Sequence, residues 1–376
     1  MDFSLTEDQQ SIKELARQIF SDKVTPQLLR EIEATEDCFD RQLWASLAEA
    51  GLLGVALPEQ YGGSGFGLFE LNLILEQQGT VTALVPLLPA LVMAAAPIAE
   101  FGSEAQKTAL LPPLISGGQL LTGAYAEAGS AATSLPSTNA QPEADGWRIN
   151  GQKSCVWAAH IADHALVTAR TGEESYGVFI VDLQSAGVAL EHQRGTTREV
   201  ECTLTLKNVH VGAGQVLGTG EDGADIYAWI RDRVAIGLAA LQLGVSREAL
   251  RRTAEYVSER EQFGRTIGSF QAISQRAGDC YSDVQAMEST LWEASWRESA
   301  AIPFAQEAAV AKWWACCAGQ RIAYTGQHLH GGIGADIDYP IHRYFLWSKR
   351  LELFQGGAAA QLAAIGDLIA DSGLPQ

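Results

Sequence analysis

The stretch "SEREQFGRTIGSFQAISQRAGD" (residues 258–279) decides how this chain is read. Upstream of it, "RVAIGLAALQLGVSREALRRTAEYVSEREQFG" (233–264) carries the apolar period of one long helix and runs into Gly264, where a helix is expected to stop. Downstream, "SFQAISQRAGDCYSDVQAMESTLWEASWRESA" (269–300) predicts a second helix and "AQEAAVAKWWACCAGQRIAYTGQHLHGG" (305–332) a third. The last third of the chain is therefore helical.

The segment before it has another character. "GWRINGQKSCVWAAHIADHALVTART" (146–171), "YGVFIVDLQSAGVALEHQ" (176–193) and "ECTLTLKNVHVGAGQVLG" (201–218) are short runs rich in Val, Ile, Thr and aromatics, with turn residues between them. They predict consecutive antiparallel strands. The first third is helical again. In "TEDQQSIKELARQIFSDKV" (6–24), Ile12, Leu15, Ile19 and Phe20 recur at helical spacing behind Thr6 as N-cap. "DRQLWASLAEAGLLGV" (40–55) repeats the pattern with Leu43, Leu47, Ala50 and Leu53. "LPEQYGGSGFG" (57–67) is a glycine-rich loop that lacks the Lys-Ser/Thr of a phosphate loop. The order is α, then β, then α, without internal repeat, and the boundaries fall near residues 120 and 225: an α-helical domain 1–120, a β domain 121–225 and a helical domain 226–376.

With 376 residues, 47% hydrophobic and 19% charged, the chain is globular and long enough for two or three domains. A net charge of −19 argues against a nucleic-acid partner and requires any anionic ligand to be met by a local basic cluster. The six cysteines are scattered with no CxxC pair, which reads as reduced and cytoplasmic. "MDFSLTEDQQ" (1–10) is acidic and polar, unlike a signal peptide. The nearly uncharged stretch 81–100 is interrupted by Pro86, Pro89 and Pro97, so a buried helix pair is expected there and no membrane span.

That order, together with 258–279 and "GQHLHGGIGADIDYPIHRYFLWSKR" (326–350), resembles the acyl-CoA dehydrogenase family. The likeness covers essentially the whole chain and includes "PEQYGGSG" (58–65), "INGQK" (149–153) and "VHV" followed by "VLG" (209–218). Arg-x-Gln-Phe-Gly and Gln-x-x-x-Gly-Gly-x-Gly are specific in combination. The resemblance implies a fold that is mainly α with a β middle domain: an N-terminal helical domain, a β-barrel-like domain and a C-terminal four-helix bundle. It also implies FAD. The chemistry it implies removes an α-proton from a CoA thioester with a carboxylate while the β-hydrogen leaves as hydride to the flavin.

In most of the family the Glu base sits in a Tyr-Glu-Gly-Thr-like stretch; the matching residues here are Phe354-Gln355-Gly356-Gly357. A carboxamide accepts no proton near neutral pH, so the resemblance implies no catalytic base at Gln355. Some members place the Glu on the first long helix of the last domain, at about Val234 here. Asp232 lies nearby, but two residues turn a side chain by about 200° on a helix, so it is expected as a solvated pair with Arg233.

The flavin-ring cradle departs as well. "AYAEAGSAAT" (124–133) has Ala126 where the family's Thr-Glu-Pro motif begins, and Cys155 and Trp157 replace the Trp and Thr of its Trp-x-Thr strand. Alanine offers the ring no hydrogen bond. Trp157 either fills space the ring needs or is an ordinary strand aromatic turned into the core.

The ADP side matches: Arg260, Gln262, Phe263, Gln271, Gln327, Gly331 and Gly332. Arg260 can pair with a pyrophosphate oxygen, and the two glycines let backbone approach a cofactor. Surface pairing of Arg260 with Glu259 or Glu261 is the alternative, which the Gln-Phe-Gly and Gly-Gly segments outweigh. His328, His330 and His342 accompany no carboxylate or thiolate at ligand spacing, so no metal site is expected. Cys316-Cys317 reads as buried packing.

The whole pattern is similar to the subunit that lacks the catalytic Glu in heteromeric (α2β2) bacterial dehydrogenases of steroid or bile-acid side-chain CoA esters. That resemblance implies FAD shared across a subunit interface, a second acyl-CoA dehydrogenase-like chain carrying the base, an acyl-CoA substrate and an electron-transfer acceptor. Three alternatives stand beside it. They are a self-sufficient homotetramer using Asp232 or Glu352, a flavin monooxygenase on the same fold, and a flavin-free scaffold.

Overall fold

The structure, a computed structural model, describes residues 4–130 and 135–372. Its elements follow the α, β, α order. The helices are α1 (Glu7–Lys23), α2 (Pro26–Glu33), α3 (Arg41–Glu49), α4 (Leu68–Val81), a π-helical segment Leu88–Ala95 continued by α5 (Ala96–Phe101), and α6 (Glu104–Ile115). The strands are β1 (Leu121–Ala124), β2 (Asn139–Glu143), β3 (Gly146–Trp157), β4 (His164–Arg170), β5 (Tyr176–Asp182), β6 (Val188–Arg194), β7 (Val200–Gly212) and β8 (Val216–Leu217). Then come α7 (Gly223–Glu259), the short pair β9 (Glu261–Gln262) and β10 (Arg265–Thr266), α8 (Gln271–Ser299), α9 (Ala305–His330), α10 (Ile341–Leu353) and α11 (Ala358–Ser372). The chain divides into two compact units, and the division falls inside α7, after Val234.

One unit gathers α1, α4, α7 from Ala235 onward, and α8 to α11. Thr6 caps α1 as expected: its hydroxyl takes the Gln9 N–H while the Gln9 side chain takes the Thr6 N–H. Where α4 meets α7, a side chain at Gly244 would lie 1.9 Å from the Glu76 carbonyl and one at Gly79 2.2 Å from that of Leu241. Only glycine permits that approach. It leaves the Glu76 carboxylate buried, where Lys13 (3.3 Å) and Arg247 neutralise it and Arg247 also binds Glu288. α9 packs against α8, α10 and α11 as the centre of the helical bundle.

The long helix does not reach Gly264. It ends at Glu259, and the next residues form a two-residue hairpin whose corner, Phe263 and Gly264, has φ of 54° and 76°. Two consecutive positive φ angles close a hairpin with the right twist but cannot continue a helix.

The other unit holds α2 from Leu29, α3, residues 84–120 with α5 and α6, the eight strands β1 to β8, and the start of α7. The sheet order is β6-β7-β3-β2-β4-β5-β8, with β1 on β4. Most pairings are antiparallel, as expected, but β1 and β2 each run parallel to β4. The chain between them supplies the crossover that parallel neighbours need. β3 and β7 form the long ladder, broken by register shifts between Ile149 and Gly151 and between Lys153 and Val156. The second shift is a bulge that gives Cys155 a φ of 51°.

In the apolar stretch 81–100, α4 ends at Val81, residues 82–86 lie outside any helix, and from Leu88 one continuous, mostly buried π/α segment follows in place of a helix pair. Residues 341–370 are also apolar and long enough to cross a membrane by composition. There the chain is broken into α10 and α11, of 13 and 15 residues, each short of the about 20 a bilayer requires.

Candidate cofactor-binding surfaces and the base position

The residues matched to the ring cradle lie around β1 and β3. Ala126 follows β1, and its carbonyl takes the Ser154 N–H at 2.9 Å, so its contact with β3 is made by backbone alone. Residues 131–133 of the same motif lie outside the described residues. Cys155 is exposed at the bulge, and Trp157 is only 3% exposed. The indole is turned into the core, beside a cavity of about 20 Å³ lined by Phe39, Val85 and His160, and Thr122 donates to the Trp157 carbonyl at 2.6 Å. Such a cavity holds one water at most.

Between these positions the structure places an ion pair that the sequence did not announce. Lys153, fully buried, donates to Glu127 Oε1 at 2.6 Å and to Thr168 Oγ1 at 3.0 Å. Glu127 also accepts the N–H groups of Ser137 (2.6 Å) and Thr138 (3.0 Å). Burial alone would raise the Glu127 carboxyl, but Lys153 and Thr138 hold it down at about 2. Burial lowers Lys153 to about 8, against the pull of Glu127. The visible signal was a lysine inside a strand run and a glutamate just past another strand. Opposite charges at such positions imply a buried pair once the strands are known to be neighbours.

The ADP-side positions gather at the hairpin and at the end of α9. Arg260 follows α7, is exposed, and its guanidinium has no ion-pair partner among the described residues. The surface pair with Glu259 or Glu261 is therefore not formed. Gln262 lies in β9 with its amide on the Glu261 carbonyl (2.7 Å). Phe263 stands at the hairpin tip, 93% exposed, edge-on to Phe270. Gln271 begins α8 and is exposed. Gln327 donates to the Gly334 carbonyl at 2.5 Å, and its Oε1 is buried without a partner. Gly331 ends α9 at φ 62°, and above it and Gly332 there is open space.

Tyr256 joins the two clusters. From the last turns of α7 its ring stacks on His330 at 4.5 Å, and its hydroxyl reaches the His330 carbonyl at 3.5 Å. His330 thus serves packing, with Nδ1 on the Gly326 carbonyl (2.7 Å), and His342 sits on the Tyr339 carbonyl (2.7 Å). Among the described residues, the group that does bring three possible metal ligands together is Glu143, Asp145 and His210. It is exposed, and Arg148 already grips both oxygens of Glu143 (2.5 and 2.9 Å).

Gln355 occupies the turn between α10 and α11 at φ 61°, followed by Gly356 at 85°. Its carboxamide makes no hydrogen bond among the described residues. Val234 is fully buried. Asp232 is not solvated as expected. It is 18% exposed and pairs with Arg231 at 3.0 Å, while Arg233 stacks over Trp229 at 3.7 Å. Burial raises the Asp232 carboxyl, opposed by Arg231 and Arg233. Glu352 is held by Lys349 at 2.8 Å. Cys316 is buried as expected, but it is not mere packing: its thiol joins a buried lysine, Lys312, at 3.2 Å.

Comparison with known proteins places this geometry. Family models for the acyl-CoA dehydrogenase N-terminal, middle and C-terminal domains match residues 6–118, 124–209 and 222–369. The chain belongs to the acyl-CoA dehydrogenase family. Acyl-CoA dehydrogenase FadE27 of Mycobacterium tuberculosis is 38% identical over 99% of this chain and all of its own length. A variant of the Tcur3481-Tcur3483 steroid ACAD is 44% identical with a TM-score of 0.91, covering 97% of this chain and 98% of its own. The ChsE4-ChsE5 complex of M. tuberculosis contains a chain 38% identical, TM-score 0.93, with full coverage of both. This dehydrogenase family is a family of FAD flavoproteins that oxidise acyl-CoA. The positions expected on the ADP side suit that cofactor chemically: a guanidinium with no ion-pair partner among the described residues, a buried amide oxygen without a hydrogen bond, and two glycines that leave room for close approach.

Proposed function

We propose that this chain is the subunit without a base in a heteromeric acyl-CoA dehydrogenase. With a second family chain it carries out α,β-dehydrogenation of a CoA thioester with a steroid or other bulky side chain. The observation that carries this reading is Gln355, a residue unable to accept a proton, at the position where the family's base is expected. The other two carboxylates considered are engaged: Asp232 by Arg231 and Glu352 by Lys349. That weighs against a self-sufficient enzyme with a displaced base.

In this reading Arg260 neutralises a pyrophosphate charge. Gln262, Gln271 and Gln327 offer hydrogen bonds, Phe263 packs on the cofactor, and Gly331 and Gly332 admit it closely. FAD supplies the hydride acceptor. The partner supplies the Glu base and the ring-side hydrogen bonds that Ala126 and Trp157 do not offer. The Tcur3481-Tcur3483 steroid ACAD among the similar structures supports the substrate class, and with the ChsE4-ChsE5 complex it supports an assembly of two unlike chains. Electrons leave to an electron-transfer acceptor. The domain limits proposed are near residues 120 and 225, and six scattered thiols fit a cytoplasmic location.

The test is to express the chain alone and with its partner. Alone it is expected to be flavin-poor and inactive on acyl-CoA with an artificial electron acceptor, and together the two are expected to be yellow and active. A chain that alone is yellow and turns over acyl-CoA at the rate of the pair would defeat the proposal.

A further inference from the structure

The hairpin after α7 carries a second arginine beside Arg260. β9 and β10 pair Gln262 with Arg265 and Glu261 with Thr266, and the Ile267 N–H on the Arg260 carbonyl at 2.8 Å closes the base. Opposite residues of a hairpin share a face, and successive residues along a strand alternate between faces. Continued through Arg260, the alternation puts Arg260, Gln262 and Arg265 on one face of the ribbon. Glu261 and Thr266 stand on the other.

Arg265 is exposed and has no ion-pair partner among the described residues, yet it is held in place. Its guanidinium lies over the Phe270 ring, 4.0 Å from the centroid, and Phe263 stands edge-on to the same ring at 6.2 Å. A stacked guanidinium uses its face on the ring and keeps the N–H donors in its own plane for another partner. Acidic side chains outnumber basic ones 45 to 26. Other exposed arginines do find carboxylates: Arg17 holds Glu14, Arg41 holds Asp37, Arg251 holds Glu248 and Arg321 holds Asp283. The hairpin instead keeps two cations without one and turns Glu261 to the far face.

We propose that Arg265 is a second anion contact for the ADP half of FAD: with Arg260 it divides the pyrophosphate, one guanidinium to each phosphate. Each phosphate carries a negative charge, and in a chain of net charge −19 a phosphate left without a cation is repelled. Gln262, on the same face, offers its amide. The stack on Phe270 holds Arg265 before the ligand arrives, so little side-chain freedom is lost on binding. This rests on the reading that the ADP side belongs to this chain, and it adds a residue that the family pattern does not include. Coenzyme A also contains a pyrophosphate; the face shared with Arg260 and Gln262 assigns Arg265 to FAD.

Arg265→Ala, Arg265→Lys, Arg260→Ala and the double alanine variant are made in the complex of this chain with its partner. Arg276→Ala, at an exposed arginine of α8, is the control for lost charge. FAD retention is read from flavin absorbance after dialysis at several salt concentrations, and KM for acyl-CoA is read at saturating flavin. Arg265→Ala is expected to weaken retention about ten- to a hundredfold, the scale of one charge-assisted hydrogen bond, and to flatten its dependence on salt. Arg265→Lys keeps the charge without the flat stack and should fall between. The double variant should lose more than either single one, while Arg276→Ala should retain FAD as the wild type does and KM should not move. Unchanged retention in Arg265→Ala beside weakened retention in Arg260→Ala overturns the second contact and leaves the ADP-side reading standing. Unchanged retention in both sinks that reading and the proposal with it. A raised KM at unchanged flavin content gives Arg265 to coenzyme A, and an equal loss in Arg276→Ala reduces the effect to bulk charge; either result overturns the proposal.

Discussion

Arg260, Gln327 and Gly331–Gly332 offer a cation unpaired among the described residues, a buried acceptor without a hydrogen bond and open backbone. Ala126, Cys155 and Trp157 offer a methyl, an exposed thiol and an indole sunk in the core. The reading proposed above assigns the first set to the ADP side and the second to the ring side of FAD, and each set is built into a packed frame. The ADP side is fastened by Tyr256 on His330, and the ring side by Glu127 on Lys153. The lesson of the contrast is that frame and function separate. In the proposed reading the described part of the ring-side frame is kept, while Ala126 and Trp157 stand where the family's ring-binding side chains are expected. That is the pattern expected when another chain has taken over the contact but the fold must still present the surface.

The largest effect expected concerns the ring-side frame. Lys153→Met leaves the Glu127 carboxylate buried without its cation and should cost about 3–5 kcal/mol of stability, read from urea unfolding. A loss below about 1 kcal/mol would mean that the pair is as dispensable as a surface bridge, and the frame argument fails. Arg260→Ala addresses the other side. It should leave unfolding nearly unchanged and weaken FAD retention by the complex about ten- to a hundredfold, the range of one charge-assisted hydrogen bond. Equal retention by the variant would erase the distinction between the two surfaces.

Acid sharpens the same contrast. The Glu127 carboxyl is held at about 2 in the folded chain, below its ordinary value of 4.5. Its contribution is therefore complete above about pH 4.5 and is lost as pH falls toward about 2. Between those limits the melting temperature of the wild type should fall more steeply than that of the Glu127→Gln, Lys153→Met double variant. Parallel curves would assign acid sensitivity elsewhere. The smallest effect is expected from Gln355→Glu in the isolated chain. A base alone is worth about 10²–10⁴-fold, but without ring-side contacts it should restore no turnover. Any rescue of that size would show a competent flavin pocket within this chain.

Much of this was legible in the sequence. Helical period and strand alternation located the three segments, and Thr6 announced the start of α1. The assignment of Gln355 to the base position is a proposal that rests on the sequence, on the arginine-containing helix before it and the two glycines after. What was not legible depends on contacts across the fold. The end of α7 at Glu259 is decided by a hairpin whose corner puts a phenylalanine at positive φ, against local preference. Asp232 bonds the arginine before it at 3.0 Å, and Arg233 lies over Trp229. Nothing in the sequence marks Lys312 or Lys153 as buried, and only the neighbouring elements show that each is fully buried with acceptors around it.

The claim that the chain contributes half a cofactor site is tested most directly by counting flavin. The complex of this chain with its base-bearing partner is purified, and flavin absorbance is compared with the molar amount of each chain. The account predicts one flavin for each pair of unlike chains, with none retained by this chain purified alone. One flavin for every chain, as in an assembly of self-sufficient subunits, would contradict it.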